Sequence, residues 1–290
     1  MGVSLDLLRT FLGVYRAGSV TRAAELLGLA QPTVTDRVRA LETALGRPLF
    51  ERVPRGMAPT PAADRLAARV AGPLDSLEDT VRADLGAAAG RFARTVHLGG
   101  PAEFVCARVL PALAPLVTEG LHLRVTLGLP EELLSGLTGG ALDLAVCTVR
   151  PRLRGLRVEP LCDEEFVLVG AGDGAAGEPS AAPLVSYAEN LPIVRRYWRT
   201  VFGTRPTRAP ALVVPDLRGV LAAVAAGAGV SVLPRYLCAA ELADGRLRPL
   251  LEPALPPLNT LYLAARSGPA SPAAAAVWDL LRTAGRDWRG

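Results

Sequence analysis

The chain contains no lysine, only two histidines, four scattered cysteines and no apolar run long enough to span a membrane. Each scarcity excludes a class of chemistry. His97 and His122 both fall in strand-like segments, which leaves no Ser/His/Asp constellation and no histidine pair for a metal. Cys106, Cys147, Cys162 and Cys238 form no Cys-x-x-Cys or Cys/His cluster, so a zinc site is not expected and the four read as reduced, buried, small apolar residues. Gly99-Gly100 and Gly227-Ala-Gly229 match neither a dinucleotide nor a P-loop fingerprint. Glu103 and Asp143 are too far apart in sequence for spacing to suggest a carboxylate dyad. No catalytic residue, metal ligand or cofactor is nominated, and the protein is not expected to be an enzyme. The segment MGVSLDLLRTFLGVYRAGS carries an acid and two arginines without a basic leader and reads as an amphipathic helix, not a signal peptide, so a cytoplasmic location is expected. Arginine supplying all the basic residues is a compositional bias without functional meaning.

At 290 residues, half of them hydrophobic, the chain is long enough for about two domains with their own cores. Its net charge is +4, yet residues 1–60 hold 8 Arg against 5 Asp/Glu, which concentrates three of the four charges in the first fifth. That asymmetry points to a nucleic-acid partner for the N-terminal segment, although an excess of this size is common.

The segment 19–60 carries the functional signal. Thr21 is a candidate N-cap for an Ala/Leu-rich helix ending at Leu27, and Gly28 can supply its left-handed stop. Gln31-Pro32 then opens a helix running to about Leu45, with proline in the first turn where its missing N–H costs nothing. Val34, Val38, Leu41 and Leu45 form one stripe, while Thr33, Thr35, Asp36, Arg37 and Arg39 point away from it. Such a face suits a major groove: Gln bonds adenine, Arg bonds guanine, Thr meets a thymine methyl or phosphate, and helix N-terminal amides attract phosphate. After the helix, Leu49-Phe50 resemble a short strand, and Arg52 and Arg55 flank Pro54 in a basic turn that would lie along the backbone or in the minor groove. The DNA-contacting set is therefore Arg22, Gln31, Pro32, Thr33, Thr35, Asp36, Arg37, Arg39, Arg52 and Arg55. Two helices joined by a glycine turn also occur in proteins that never touch DNA, and Arg37 and Arg39 alone would suit a solvated face; the order of helix, turn, basic helix and basic wing is what distinguishes this segment.

The stretch AAELLGLAQPTVTDRVRALETALGRPLFER resembles the N-terminal signature of the LysR-type transcriptional regulators. Length, a long helix after the wing and a C-terminal α/β domain extend the resemblance over essentially the whole chain. Two departures matter. Ala30 stands where the family usually has Ser, removing a cap worth ~0.5–2 kcal/mol. Asp36 stands where many members have a basic or amide residue; a carboxylate accepts from cytosine but repels phosphate, so operator sequence does not transfer from relatives. Peroxide-sensing members place a reactive cysteine where this chain has Tyr197 and Trp198.

The fold expected is multidomain: an all-α-type winged helix-turn-helix over residues 1–60, a linker helix over 61–91, and a two-lobed α/β domain resembling a periplasmic-binding protein over 92–290. Lobe 1 would take about 92–162 and 262–290, and lobe 2 about 163–261. Leu5, Leu8, Phe11, Leu12 and Tyr15 make a supporting helix. Thr60-Pro61 starts the linker, whose seam of Leu66, Val70, Leu74, Leu77, Val81 and Leu85 suits pairing with a second helix, Gly72-Pro73 should kink it, and 87–94 reads as a hinge. From Thr95 strand-like and helix-like segments alternate, including a strand beginning at Phe166 and a Gly/Pro/Ala loop over 170–183.

Two lobes leave a cleft, the usual ligand position in open α/β sheets. The resemblance implies that Gly100, Pro101, Ala102, Glu103, Gly128, Thr148, Tyr187 and Val232 line it. Many relatives place Ser or Thr after the first strand to hold an effector carboxylate; Gly100-Pro101-Ala102 offers no hydroxyl, and Glu103 either favours a cation or amine or begins a helix. Arg195, Arg196 and Arg199 suit either an anion site or a solvated face, with the solvated face preferred. The expected protein is a sequence-specific transcriptional regulator controlled by a small-molecule effector. Its expected partners are double-stranded operator DNA, itself as homodimer or homotetramer through the linker helix, the effector, and RNA polymerase, with no membrane. The rival is a ligand-binding or enzymatic α/β domain whose N-terminal helices serve only oligomerisation.

Overall fold

The computed structural model describes residues 3–53, 56–84, 92, 94–172, 182–268 and 270–288. Helix α1 (Leu5–Ala17) is capped by the Ser4 hydroxyl and stopped by Gly18. Helix α2 (Val20–Leu27) starts before Thr21, because the Ser19 hydroxyl accepts the Arg22 amide. Helix α3 (Gln31–Leu45) opens at Gln31-Pro32, and Ala30 at its N-cap offers no side-chain acceptor. Gly28 and Gly46 end α2 and α3 at φ 64° and 66°, a left-handed conformation that glycine adopts without strain. Val34, Val38 and Leu41 sink into one core with Phe11, Ala23 and Leu49.

Strands β1 (Phe50–Val53) and β2 (Gly56–Pro59) pair antiparallel to make the wing. The wing is tied to the helix before it: Glu42 on α3 accepts the amides of Leu49 at 2.7 Å and Phe50 at 3.3 Å, and the Thr60 hydroxyl donates to the carbonyl of Pro48 at 3.1 Å. Thr60 also caps α4 (Pro61–Asp84), a helix of 24 residues that continues through Pro73 instead of ending there. Its buried face overlaps the expected seam in part: Leu74 is buried and Leu66 and Val70 partly so, beside a row of alanines. Ala63, Ala67, Ala71 and Leu74 pack on the N-terminal core, since small side chains let α4 approach α1 closely. Leu77 and Val81 remain about half exposed at 45% and 49%. Leu85, and residues 87–91 and 93 of the expected hinge, lie outside the described residues.

The C-terminal part alternates β3 (Val96–Gly100), a helical run made of α5 (Ala102–Phe104), a π turn at Val105–Val109 and α6 (Leu110–Thr118), β4 (Leu123–Leu127), α7 (Pro130–Thr138), β5 (Leu144–Cys147) and β6 (Leu156–Ala171). There follow β7 (Val185–Ser186), α8 (Pro192–Phe202), β8 (Leu212–Val213), α9 (Leu217–Ala225), β9 (Val230–Pro234), α10 (Ala239–Ala243), β10 (Leu247–Leu251), β11 (Leu258–Arg266) and α11 (Pro272–Ala284). The main sheet has the order β10-β6-β11-β5-β3-β4, with β9 also on β6; β3 runs parallel to β4 and β5, and β11 antiparallel to β5 and β6.

Strand β6 makes the two lobes. Leu156 to Glu165 pair with β11, whereas Phe166 to Gly170 pair with β9, so one strand leaves the first lobe and becomes the centre of the second. Strand β11 brings the chain back. Within the second lobe the side chains of β6 alternate as a pleat requires: Val167 and Val169 face α9, while Phe166 and Leu168 join Val230 and Val232 beneath α8. The sequence reading starts this strand at Phe166 and anticipates neither α10 nor β10. Residues 173–181 of the expected 170–183 loop lie outside the described residues, and 170–171 belong to β6.

Candidate functional site

Two surfaces carry the residues singled out from the sequence. The first is the outer face of α3 with the wing. Gln31, Pro32, Asp36 and Arg39 are exposed and Thr33 and Thr35 half-buried. With no side-chain cap at Ala30, first-turn amides of α3 stay available at the positive end of the helix, which suits a phosphate. The Thr35 hydroxyl donates to the Gln31 carbonyl at 3.1 Å. Arg37 departs from the expected free position: it donates to the Thr10 hydroxyl at 3.4 Å and lies 3.9 Å from Asp6, bracing α3 against α1. Arg22, Arg39 and Arg52 stand exposed, as does Arg47, which follows the Gly46 stop and was not among the expected contacts. Arg55 lies outside the described residues.

The second surface is a cleft of about 600 Å³ between the lobes. Pro101, Ala102, Glu103, Gly128, Thr148 and Tyr187 line it. Gly100 and Val232 do not, which corrects the expected set. A Cβ on Gly100 would strike the Val105 side chain at 2.6 Å, so that position faces the interior. Val232 is 1% exposed beneath α8, and Pro234, two residues on, reaches the cleft instead.

Glu164, Arg196, Asp216, Arg218 and Asn259 complete the polar lining. Asn259 is its hub: the amide donates to Glu164 at 2.9 Å and to the Thr148 carbonyl at 3.2 Å, and accepts from Arg196. Burial lifts the Glu164 carboxyl to about 7, with Glu103 adding to the shift and the Asn259 hydrogen bond opposing it. Burial raises Glu103 as well. Arg218 is gripped by Asp216 and donates to the Cys106 sulfur at 3.1 Å. Burial pushes the Cys147, Cys162 and Cys238 thiols to about 11, 12 and 11, which disfavours the thiolate that peroxide chemistry needs. A basic helix face with its wing, and a half-open, largely apolar cleft with a few polar groups, together suit binding.

Residues 5–64 match the model of the bacterial regulatory helix-turn-helix proteins of the lysR family, and residues 89–286 match the LysR substrate binding domain. The chain belongs to the LysR family. It is similar to the HTH-type transcriptional regulator AbaB of Streptomyces antibioticus, at 48% identity over 99% of this chain and 100% of that protein. The HTH-type transcriptional regulator PtxR of Pseudomonas aeruginosa is 32% identical over 86% of this chain and 82% of its own length. Among solved structures, ArgP from Mycobacterium tuberculosis superimposes with a TM-score of 0.74, at 26% identity and 98% coverage of both chains. A full-length OxyR variant from Pseudomonas aeruginosa shares the fold with a TM-score of 0.76, at 23% identity over 99% of this chain and 95% of that one. The protein is a LysR-type DNA-binding transcriptional regulator with an effector-binding domain, and its relatives are regulators, not enzymes.

In this LysR-type regulator a cluster of buried charges joins the DNA-binding part to the effector domain. Asp75 on α4 accepts from Arg16 of α1 at 2.8 and 3.1 Å and from Arg94 at 2.8 Å. Arg94 also reaches Asp143 at 2.7 Å, and Asp143 accepts the His97 amide at 2.8 Å. Arg266 of β11 stands 3.8 Å from Asp75 and 3.5 Å from Asp143, and donates to the carbonyls of Leu137 and Leu142. Burial opposes ionisation of Asp143, but Arg94 and Arg16 outweigh it and hold the carboxyl below its usual range. Burial of His97 pushes its imidazole down to about 4. No spacing in the sequence announces this cluster, because Arg16 and its acceptor at Gly140 are 124 residues apart.

Proposed function

We propose that this regulator binds a pseudo-palindromic operator as a homodimer or homotetramer and is switched by a small molecule held between the lobes. The open, uncapped start of α3, flanked by exposed Arg22, Arg39 and Arg52, is the observation that carries the DNA-binding assignment. Gln31, Pro32, Thr33, Thr35 and Asp36 enter the major groove, Arg39 takes a base or phosphate, and Arg52 and Arg55 hold the backbone from the wing. Arg37 contributes by holding α3 in place. The chain divides into a DNA-binding part over 1–60, a linker over 61–91 and an effector domain over 92–290. Self-association runs along α4, where Leu77 and Val81 continue an apolar seam into solvent. A tetramer needs a second surface, and the exposed Leu110 and Val117 of α6 beside Val125 and Leu127 on edge strand β4 supply one. The effector favours one arrangement of the lobes and so changes the spacing or bend of the bound half-sites. RNA polymerase is a further partner in activation, and the DNA partner implies a cytoplasmic location.

The test is binding of the full-length protein to the DNA upstream of its own gene, at two salt concentrations and against an unrelated fragment. Specific binding whose affinity falls steeply with salt is expected. Absence of binding at low salt overturns the DNA-binding assignment.

A further inference from the structure

Resting on the reading of the inter-lobe cleft as the effector site, we infer that the effector is a cation, an amine or guanidine, held between Glu103 and Glu164. The lining carries four carboxylates, Glu103, Glu132, Glu164 and Asp216, against the two guanidinium groups of Arg196 and Arg218. Three of these six charges are already engaged elsewhere. Asp216 and Arg218 chelate each other through both carboxylate oxygens. Glu132 accepts the Leu129 amide at 3.2 Å and caps α7. Arg196 donates to the neutral Asn259 amide and keeps its charge, part of which acts on Glu164. Glu164 is 6% exposed and held by a neutral amide, and Glu103 begins α5 at the cleft wall. The buried Glu164 and the half-buried Glu103 face the single uncompensated guanidinium of Arg196, which leaves one negative charge unmet.

A further observation disfavours an anion. Pro101, Pro130 and Pro192 stand at the starts of α5, α7 and α8, where each removes a backbone N–H that an anionic ligand would use. The Tyr236 hydroxyl, its ring against Phe104, packs beside Glu164 from behind the cleft wall. Leu127, Val149, Phe166 and Ile193 supply apolar walls for the body of the ligand, and the volume suits a molecule of amino-acid to drug size.

The test uses full-length protein and size-matched probes of opposite charge: putrescine with succinate, agmatine with adipate, and benzylamine with benzoate. Binding is followed by thermal unfolding and calorimetric titration at a pH of about 8, above the range in which Glu164 holds a proton. Expected is saturable stabilisation by at least one amine and none by its carboxylate counterpart, with amine affinity falling about tenfold or more in both Glu103→Gln and Glu164→Gln. The inference is overturned if a carboxylate binds as tightly as its amine, if amine affinity is unchanged in both variants, or if no amine binds. Operator binding measured on the same preparations separates the two readings. A carboxylate that binds and alters operator affinity removes the cation and leaves the effector site intact. An amine that binds without altering operator affinity retains the charge preference and removes the effector role.

Discussion

Asp75 is the residue through which the two functional parts meet, and Asp75→Asn is the sharpest perturbation of that junction. The substitution keeps the volume and one carbonyl oxygen but deletes the charge. Arg16, Arg94 and Arg266, whose side chains are 14%, 12% and 20% exposed, would lose their common carboxylate, with Asp143 left as the ion-pair partner of Arg94 and Arg266. Removing one partner of a buried ion pair costs about 3–5 kcal/mol, because the remaining charge is left uncompensated. The residual exposure of the arginines and the surviving hydrogen bonds bring this toward about 2–3 kcal/mol. Urea unfolding of the full-length chain measures it with two probes. Trp198, Trp278 and Trp288 are the only tryptophans and all lie in the effector domain, so fluorescence follows that part while far-UV circular dichroism follows the whole. A double-mutant cycle of Asp75→Asn with Arg16→Met should give a coupling of about 1–3 kcal/mol. A loss below about 1 kcal/mol together with additive single effects would refute the claim that this cluster joins the parts.

The remaining predictions concern DNA, assembly and pH. Arg52→Ala should lower the slope of log affinity against log salt by about one and weaken all sequences alike; an unchanged slope removes Arg52 from the phosphate contacts. Leu77→Asp combined with Val81→Asp should halve the assembly in sedimentation, a dimer falling to monomers or a tetramer to dimers, and an unchanged assembly would move the interface off α4. His97, held down to about 4 from its ordinary 6.5, is neutral in the fold and takes up a proton on unfolding. Its contribution is therefore intact above pH 6.5 and is lost as pH falls toward 4, by about 2–3 kcal/mol, and His97→Gln should flatten the stability profile in that window. Glu164 titrates with the opposite sign, since its raised carboxyl is favoured in the protonated form by the fold: its contribution is present below about 4.5 and lost as pH rises through about 7. Glu164→Gln should thus gain on the parent protein as pH rises across that window, by up to about 3 kcal/mol; a gain as pH falls would contradict the environment described for the carboxyl.

What the sequence discloses follows the range of the interactions concerned. The helix-turn-helix is legible because its signals are local: a proline in the first turn of α3, glycines just past the ends of α2 and α3, and an apolar stripe of helical period. The start of α2 escapes at the same scale, since Ser19 and Thr21 are both good caps and only the fold selects between them. Arg37 looks free on a helical wheel, which sees no neighbour outside its own helix, yet Thr10 and Asp6 of α1 claim it. The first half of β6 hides for a related reason. Its acids and Pro160 disguise a strand, and the partner that makes it one, β11, begins about a hundred residues later. Glu164 and Asn259 at the cleft, 95 residues apart, are brought together only by that pairing. The linker shows a further limit: periodicity locates the Leu/Val seam of α4, while the adjacent alanines Ala63, Ala67 and Ala71, unremarkable in sequence, form the face that packs.

The same half of β6 that hides in the sequence pairs with the strand that runs from the cleft to the charge cluster. Its partner β11 carries Asn259 at one end, which ties together Glu164, Thr148 and Arg196 on the cleft wall. Arg266, at the other end, lies in the charge cluster with Asp75 and Asp143. Seven residues of extended chain separate them, about 23 Å at the rise of a β-strand. Strand β11 pairs with β6 from Leu258 to Arg266, with a register shift between Leu261 and Tyr262, and with β5 only from Tyr262 to Ala265, so a displacement at the Asn259 end enters a strand braced on both sides in its second half alone. Asp75 passes any such displacement to α1 through Arg16, and α1 supports α3 through Thr10 and Arg37. A ligand that alters the partners of Glu164 therefore acts on the strand whose far end meets the junction with the DNA-binding helices.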